Sequence, residues 1–325
     1  MPEQPFERIG VLNFEEGEED PYSAVIDTVN GYAYFGLETS PGKVVKVDLS
    51  GFSRVGALEF EEGESAPYSA VADVENGFAY FGCEAYPGKV VKVRLSDFSR
   101  VGVLSFEEGE NVPVSAVIDT VNGYAYFGCY TDPGKVVKVR LSDFSRVGVL
   151  EFEEGEDNPY SAVIDTVNGY AYFGCETYPG KVVKVRLSDF SRVGVLTFEE
   201  GEETPRAAVI DTVNGYAYFG SRAVPGKVVK VDLSDFSRVG ALEFEEGENA
   251  PNVAVIDTES GFSYFGCFAE LSMIVKVQVS TGAPTAAAYR AQKGLVSGYH
   301  CFMKQYINLA LAGLAPLKLP DGTLW

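Results

Sequence analysis

The sequence predicts an all-β fold, a six-bladed β-propeller with four-stranded antiparallel blades. Two observations predict it: a repeat of 46 residues, and four strand-like segments inside each repeat. The phrase Arg-Val-Gly-(Ala/Val)-Leu-x-Phe-Glu-Glu-Gly-Glu marks the repeat, with Ile replacing its Val in the first copy. Its glycine stands at Gly10, Gly56, Gly102, Gly148, Gly194 and Gly240. A unit copied at a constant interval indicates one structural element used several times.

Each repeat contains four short strands and no helical pattern. In the first repeat, Asn30-Gly31 forms a turn typical of a two-residue hairpin. Pro41-Gly42 closes the second strand, and the third has the alternating, β-branched character of a sheet. The four strands are predicted at residues 23–27, 32–35, 43–49 and 54–60. A β-solenoid is the main alternative, but its coils are usually shorter and pair in parallel, so the hairpins favour a propeller.

The two ends of the repeat array complement each other. Six strands begin after a proline, at Pro21, Pro67, Pro113, Pro159, Pro205 and Pro251. The sixth repeat has no outer strand, whereas residues 8–14 form an extra outer strand before the first repeat. We expect this N-terminal strand to complete blade six, since pairing it removes two free sheet edges. The predicted organisation is an arm at 1–7, a propeller at 8–280 and a tail at 281–325.

One phrase also indicates a family. Pro-Tyr-Ser-Ala-Val-Ile-Asp-Thr-Val-Asn-Gly-Tyr-Ala-Tyr-Phe-Gly, followed by Val-Val-Lys-Val, resembles the YVTN-type propeller repeats of bacteria and archaea. The resemblance covers residues 8 to about 280. It implies that the Pro-led strand lines the central channel and that the Arg-Val-Gly-Val-Leu strand is outermost.

Differences among the repeats concentrate in two connections. One links each outer strand to the next Pro-led strand, and the other joins the second and third strands. In an up-and-down blade these connections emerge on one face of the ring, the variable face. Variation there fits either recognition on a rigid ring or free drift of surface loops. Predicted ligand-binding residues are Tyr22, Tyr68, Tyr86, Tyr130, Tyr160, Tyr178, Arg206, Arg222 and Asn252, mostly types enriched at binding hot spots.

The same face carries the repeated Glu-Glu-Gly-Glu loops. Nearly half of the 47 acidic residues lie in these loops and the links that follow them. The predicted acidic-face residues are Glu18, Glu64, Glu110, Glu156, Glu202 and Glu248. Calcium is possible, because it takes six to eight oxygen ligands. A solvated acidic surface is favoured, since no loop has a recognised calcium spacing, and we predict no metal and no cofactor.

Other repeated residues are predicted to be structural. An aspartate before a turn usually accepts bonds from nearby backbone N–H groups, and this role is favoured over a channel cation site for Asp27 and its five copies. Tyr32, Tyr34, Phe35, Phe52 and their copies are expected to pack between blades. Four of the five cysteines occupy equivalent repeat positions, too far apart for disulfides, which predicts free thiols.

Composition restricts the partners. A net charge of −21 argues against nucleic acid, whose binding depends on clustered Lys and Arg. No apolar stretch reaches the ~18 residues of a membrane span, and the first residues lack the pattern of a secretory signal. We therefore expect no direct membrane insertion, and a location in the cytoplasm or within a particle or surface assembly. A single histidine, His300, excludes most imidazole-based catalysis and leaves no predicted catalytic residue.

The tail, residues 281–325, differs from the repeats. It contains four basic residues and one acid, and residues 296–311 have the spacing of an amphipathic helix. Two roles remain open: a cap on the ring, or an anchor for self-assembly or a larger assembly.

These observations predict a non-enzymatic binding or assembly module that recognises a protein or a glycan. Two alternatives are kept. One is a propeller enzyme of lactonase-like type with its site at the channel mouth, although active sites need asymmetric polar constellations that no blade shows. The other is a structural subunit of a surface or virus-particle assembly.

Overall fold

The computed structural model describes residues 11–18, 20–258, 260–267 and 273–280. These residues form six antiparallel sheets, one for each predicted blade, so the predicted all-β six-bladed propeller is confirmed. In each sheet the strands follow chain order, with the Pro-led strand first. Pro-led strands of consecutive blades contact one another, from β1 and β5 through β17 and β21, which places them around the centre.

Blades one to three contain β1 (Pro21–Asp27), β2 (Tyr32–Leu37), β3 (Lys43–Asp48), β4 (Ser53–Glu59), β5 (Ser65–Asp73), β6 (Phe78–Glu84), β7 (Lys89–Arg94), β8 (Ser99–Ser105), β9 (Pro113–Asp119), β10 (Tyr124–Cys129), β11 (Lys135–Arg140) and β12 (Ser145–Glu151). Blades four to six contain β13 (Pro159–Asp165), β14 (Tyr170–Cys175), β15 (Lys181–Arg186), β16 (Ser191–Thr197), β17 (Pro205–Asp211), β18 (Tyr216–Ser221), β19 (Lys227–Asp232), β20 (Ser237–Glu243), β21 (Pro251–Asp257), β22 (Phe262–Cys267) and β23 (Met273–Gln278).

The repeated aspartates stabilise the turn after each Pro-led strand. Asp119 is buried and accepts hydrogen bonds from the backbone N–H and the side-chain amide of Asn122, at 3.0 and 2.7 Å. The glycine that follows, Gly123, has the left-handed φ of 75° that favours glycine. The predicted turn role is therefore confirmed, and five of these carboxylates are buried, those of Asp27, Asp73, Asp119, Asp165 and Asp211.

Apolar residues fill the interface between consecutive blades, which we call a seam. Between blades one and two, Tyr34 and Phe60 pack against Phe81 and Val91, all at most 4% exposed. The ring of Tyr34 also lies 5.6 Å from that of Phe98 in the next blade. Equivalent clusters fill the next four seams. The predicted packing role between blades is confirmed for Tyr34 and for the copies of Phe35 and Phe52 in these seams, but it is wrong for Phe52 itself, which is 51% exposed.

A close backbone approach completes each of the first four seams. In blade three, Gly128 lies so close to blade four that an added Cβ would stand 2.4 Å from Ser115 Oγ and 2.8 Å from the Pro159 carbonyl oxygen. The Ser115 hydroxyl donates to that carbonyl at 2.6 Å. The same bond joins Ser23 to Pro67, Ser69 to Pro113 and Ser161 to Pro205. Glycine is required here because any side chain would separate the blades.

Blade six has three strands within the described residues. Residues 11–14 form no strand there, and residues 8–10 lie outside the described residues. The closing role of residues 8–14 therefore stays a prediction. The tail at 281–325, with its helix and its cap or anchor role, and the arm at 1–7 also lie outside the described residues.

Two further features concern the described part of the chain. It contains no helix that is long and apolar enough to span a membrane. Cys83, Cys129, Cys175 and Cys267 are free and buried, and burial raises the pKa of Cys267 to about 11. These thiols are therefore protonated near neutral pH and serve as packing groups.

We predict that Gly128→Ala lowers the free energy of unfolding by about 2 to 3 kcal/mol, because the new methyl group overpacks the seam. The control is Gly148→Ala in the same blade, where no atom lies within 4 Å of the added Cβ and a change within about 0.5 kcal/mol is expected. Urea titration measures both. Equal effects of the two substitutions would contradict the close approach.

Candidate binding site at the variable face

The two variable connections of the repeat lie together in the structure. The N–H of Glu38, after β2, donates to the carbonyl of Asp20 in the link before β1, at 2.9 Å. The N–H of Ala66, at the start of β5, donates to the carbonyl of Thr39 at 2.9 Å. In blades one to five, the loop between the second and third strands is hydrogen-bonded to the link that leads to the next blade. The two variable connections therefore lie side by side in these five blades.

The structure corrects the predicted acidic face. Glu18, Glu64, Glu110, Glu156 and Glu202 are buried, and each forms an ion pair with the arginine 36 residues later. In blade two, for example, Glu64 is 2% exposed and accepts the Nε–H of Arg100 at 2.9 Å. The prediction that these five carboxylates are displayed to solvent is wrong.

A glycine turn explains why the last glutamate of each loop points inward. The N–H of Glu64 bonds the carbonyl of Glu61, and Gly63 between them has a φ of 78°. The Glu64 carboxylate accepts the N–H of Glu61 at 3.1 Å and meets Arg100 of β8. Glu61 itself stays exposed and makes a second contact with Arg100 at 3.1 Å. Exposed negative charge therefore comes from the first glutamates of each loop.

The buried glutamate also joins two blades. The carbonyl of Glu64 accepts the N–H of Gly42 in blade one at 2.8 Å, while its carboxylate binds Arg100 in blade two. The bond to the arginine lowers the pKa of Glu18, and the bond to Arg238 lowers that of Glu202 against the opposing effect of burial. These glutamates are structural ion-pair partners. Glu248 is half-buried and differs from the other five.

Two predicted binding residues meet where the Pro-led strands of blades one and two reach the variable face. Tyr22 and Tyr68 pack edge to face, with ring centroids 4.9 Å apart. The Tyr68 hydroxyl donates to Glu38 at 3.2 Å and approaches Glu84 at 3.4 Å. Burial, with the charges of Glu84 and Glu38, raises the pKa of Tyr68, so the hydroxyl keeps its proton. This half of the site pairs aromatic rings with carboxylates.

Across the same mouth, Tyr160 forms the centre of a second group. Its ring lies 5.8 Å from that of Tyr130, and the Arg206 guanidinium stands 4.2 Å from its centroid. Arg206 also forms an ion pair with Glu176 at 2.9 Å, and its buried Nε has no hydrogen-bond partner within the described residues. We call the two groups together the mouth cluster: Tyr22, Glu38, Tyr68, Glu84, Tyr130, Tyr160, Glu176 and Arg206.

The remaining predicted residues lie outside the mouth cluster. Tyr86 and Tyr178 are each 69% exposed on the loops between second and third strands. Tyr86, together with Tyr130, lines an open groove of about 490 Å³ between blades two and three. The Arg222 side chain is exposed, and Asn252 is half-buried with an Oδ1 atom that has no partner among the described residues.

Sequence reasoning missed Glu38, Glu84 and Glu176 as members of the site. All three occupy the repeat position that holds Tyr130 in blade three and Arg222 in blade five. Variation among the repeats at that position is the signal in the sequence, but residue type alone does not distinguish these glutamates from the many other acids of the chain. The structure shows that these carboxylates bind the hydroxyl and guanidinium of the predicted residues.

The described residues contain no group of three or more His, Cys, Asp or Glu side chains arranged to hold a metal ion. Farther down each Pro-led strand, the side chains that alternate toward the channel are small or apolar, as at Ala116 and Ile118 in β9. The charged and hydrogen-bonding groups of the channel are therefore concentrated at its mouth.

Comparisons with known proteins support the fold. Two solved structures similar to this chain are a structure of U3-55K (TM-score 0.63, 9% identity) and a crystal structure of RRP9 WD40 repeats (TM-score 0.62, 10% identity). In both cases the alignment covers 78% of this chain and 76% of the other. At such low identity the likeness shows the fold alone. No protein-family model matches the sequence, and no curated protein does, so the YVTN resemblance stays a prediction.

We predict that Arg146→Ala destabilises the protein by about 3 kcal/mol, because it leaves the buried Glu110 carboxylate without its guanidinium. Arg140→Ala, which breaks an exposed pair with Asp143 in the same blade, is the control and should change stability little. Thermal unfolding followed by circular dichroism measures both. If the two variants unfolded alike, the buried pair would have no special role in the seam.

Proposed function

We propose that this chain is a non-enzymatic binding module whose mouth cluster recognises a protein or glycan surface. One observation carries the proposal: six nearly identical repeats differ chiefly at positions that the fold gathers at one mouth of the channel. Six identical blades would give a symmetric mouth. The differences among the actual blades make the mouth asymmetric, as selective binding requires.

The chemistry of the mouth cluster fits recognition of a surface that is partly apolar and partly polar. Tyr22 and Tyr130 are 54% and 43% exposed, so their ring faces are available for contact. Tyrosine and arginine are enriched in binding hot spots because they combine a large apolar area with hydrogen-bonding groups. The carboxylates of Glu38 and Glu176 add acceptors for hydroxyl or ammonium groups of the ligand.

The mouth is also pre-ordered. Arg206 is held by Glu176 and by the ring of Tyr160, and Tyr68 is held by Glu38. Side chains already fixed by their neighbours lose little conformational freedom on binding, which favours affinity. Because the charged and hydroxyl groups of the mouth cluster are already paired with one another, they suit a binding role better than proton transfer.

We predict that a variant carrying Tyr22→Ser, Tyr68→Ser and Tyr160→Ser loses at least tenfold in affinity for any ligand of the wild-type chain. The reason is the loss of aromatic hot-spot area, in which single contacts often exceed 1.4 kcal/mol. The full chain is to be tested on an array of glycans and purified surface proteins, with biolayer interferometry of each hit.

The matched control carries Val29→Ser, Val121→Ser and Val167→Ser, three exposed residues in the turns at the opposite end of the strands. The control should bind as the wild-type chain does. Equal binding by the tyrosine variant and the control would exclude the mouth cluster as the recognition surface. Binding that only the control loses would assign recognition to the opposite face.

A further inference from the structure

Blade four shows what a tyrosine and a glutamate at the mouth bind together. Tyr160 follows the proline of that blade, and Glu176 lies on its loop between the second and third strands. The guanidinium of Arg206, from blade five, stands 4.2 Å from the centre of the Tyr160 ring and 2.9 Å from a carboxylate oxygen of Glu176. The ring and the carboxylate thus hold one cation, and the chain itself supplies it.

Blades one and two contain the same pair of residue types without the cation. The repeat makes Tyr22 with Glu38, and Tyr68 with Glu84, equivalent to the pair of blade four. At the place of the arginine, the following blade offers the neutral Tyr68 to blade one and Val114 to blade two. In the part of the chain that the structure describes, the two glutamates lie within reach of the Tyr68 hydroxyl and form no ion pair.

This half of the mouth is exposed and negatively charged. Tyr22 is 54% exposed, whereas Tyr160, which carries the arginine, is half-buried. Glu38 is exposed, and its N–H bonds the carbonyl of Asp20, whose carboxylate is exposed as well. Burial, with the charges of Glu38 and Asp20, raises the pKa of Tyr22 against the opposing effect of Arg206. A ring face and uncompensated carboxylates are therefore available at one place.

We propose that Tyr22, Glu38, Tyr68 and Glu84 form a site for a basic side chain of a protein partner, with arginine preferred over lysine. This inference rests on the proposed function and names the chemistry of the partner. The incoming guanidinium lies on the Tyr22 ring and bonds the carboxylates, as Arg206 does on the opposite side of the mouth. Arginine is preferred because its guanidinium is planar, stacks on rings and is more weakly hydrated than an ammonium group.

The charge of the mouth cluster favours a protein over a glycan. The cluster contains the three carboxylates of Glu38, Glu84 and Glu176, and Arg206 pairs with the last of them. A neutral sugar leaves the other two without a counter-charge, and an acidic sugar is repelled by them. A basic side chain supplies the counter-charge, and the net charge of −21 attracts a basic segment from a distance.

A synthetic peptide array tests the proposal on the full chain. Nine-residue peptides of random sequence are built in four sets that differ in the central residue: Arg, Lys, citrulline or Glu. Binders should come from the Arg set first and the Lys set second. Citrulline has the shape of arginine without its charge, so replacing the central Arg of a binder by citrulline should weaken binding about tenfold. An array without binders, or binders that tolerate citrulline, would overturn the proposal.

Charge-neutralising variants locate the site. Glu38→Gln combined with Glu84→Gln should weaken binding of an Arg peptide about tenfold, measured by biolayer interferometry. The control is Glu62→Gln combined with Glu108→Gln, which removes two exposed carboxylates from the acidic loops of the same face and should change binding less than threefold. Equal losses in the two variants would reduce the effect to general charge attraction and would overturn the site.

A self-filling variant tests the comparison with blade four. Tyr68→Arg gives blade two the arginine that blade five has at this position, so the chain then fills the site itself and binding of the Arg peptide should be lost. Tyr68→Phe keeps the ring without adding a cation and should bind the peptide within about threefold of the wild-type chain. Circular dichroism confirms that both variants are folded. Full binding by Tyr68→Arg would contradict the proposed position of the cation.

Failure of this inference differs from failure of the binding proposal. Glycans or neutral peptides that lose affinity for the variant with Tyr22, Tyr68 and Tyr160 changed to Ser would overturn the basic partner and keep the mouth as the binding surface. Ligands that bind this tyrosine variant as well as the wild-type chain would overturn both.

Discussion

The close approach of consecutive blades is the constraint on which the rest of this propeller depends. At Gly128 and its equivalents, the second strand lies against the proline of the next blade, and no side chain fits between them. That distance lets the serine hydroxyl reach the proline carbonyl, as Ser115 reaches Pro159. It also sets the separation at which Phe60 and Phe81 fill the seam. Substitutions at these positions are restricted because each affects two blades at once.

The same constraint decides where the repeats can differ. The turns and seams depend on the repeated glycine, serine and aspartate residues and on the buried Glu–Arg pairs. These positions therefore change little from one repeat to the next. The residues after four of the prolines lie at the channel mouth, and residues of the loops after the second strands contact them. Changes there leave the seams intact. A ring of copied blades thereby presents Tyr22, Tyr68, Tyr160 and Arg206 as one asymmetric cluster.

Much of the fold could be predicted because periodicity and turn residues are local signals. The strand order, the Asp–Asn turns and the shared position of the two variable connections were all expected. The buried Glu–Arg pairs were not, because Glu64 and Arg100 are far apart in the chain and their pairing depends on a glycine turn that reverses the direction of the carboxylate. Composition alone shows charges, and only geometry shows which of them are neutralised.

Only part of the candidate site could be predicted, again because the sequence does not show contacts between distant residues. Aromatic and arginine residues stand out in a comparison of repeats, whereas Glu38 and Glu176 resembled the many other acids of the chain. Their role follows from contacts with Tyr68 and Arg206 that bring together different blades. Conversely, Tyr86 and Tyr178 have the expected residue type but lie on exposed loops outside the cluster. Residue type identified the candidate binding residues, and their position in the fold showed which of them belong to the mouth cluster.

Native-state hydrogen exchange with mass spectrometry tests most directly whether the seams, rather than separate blades, hold the ring together. We predict that peptides from blades two to five share one free energy of opening, because each of these blades is packed and hydrogen-bonded to both neighbours and cannot open alone. Blades that exchanged independently, each with its own free energy of opening, would contradict this account.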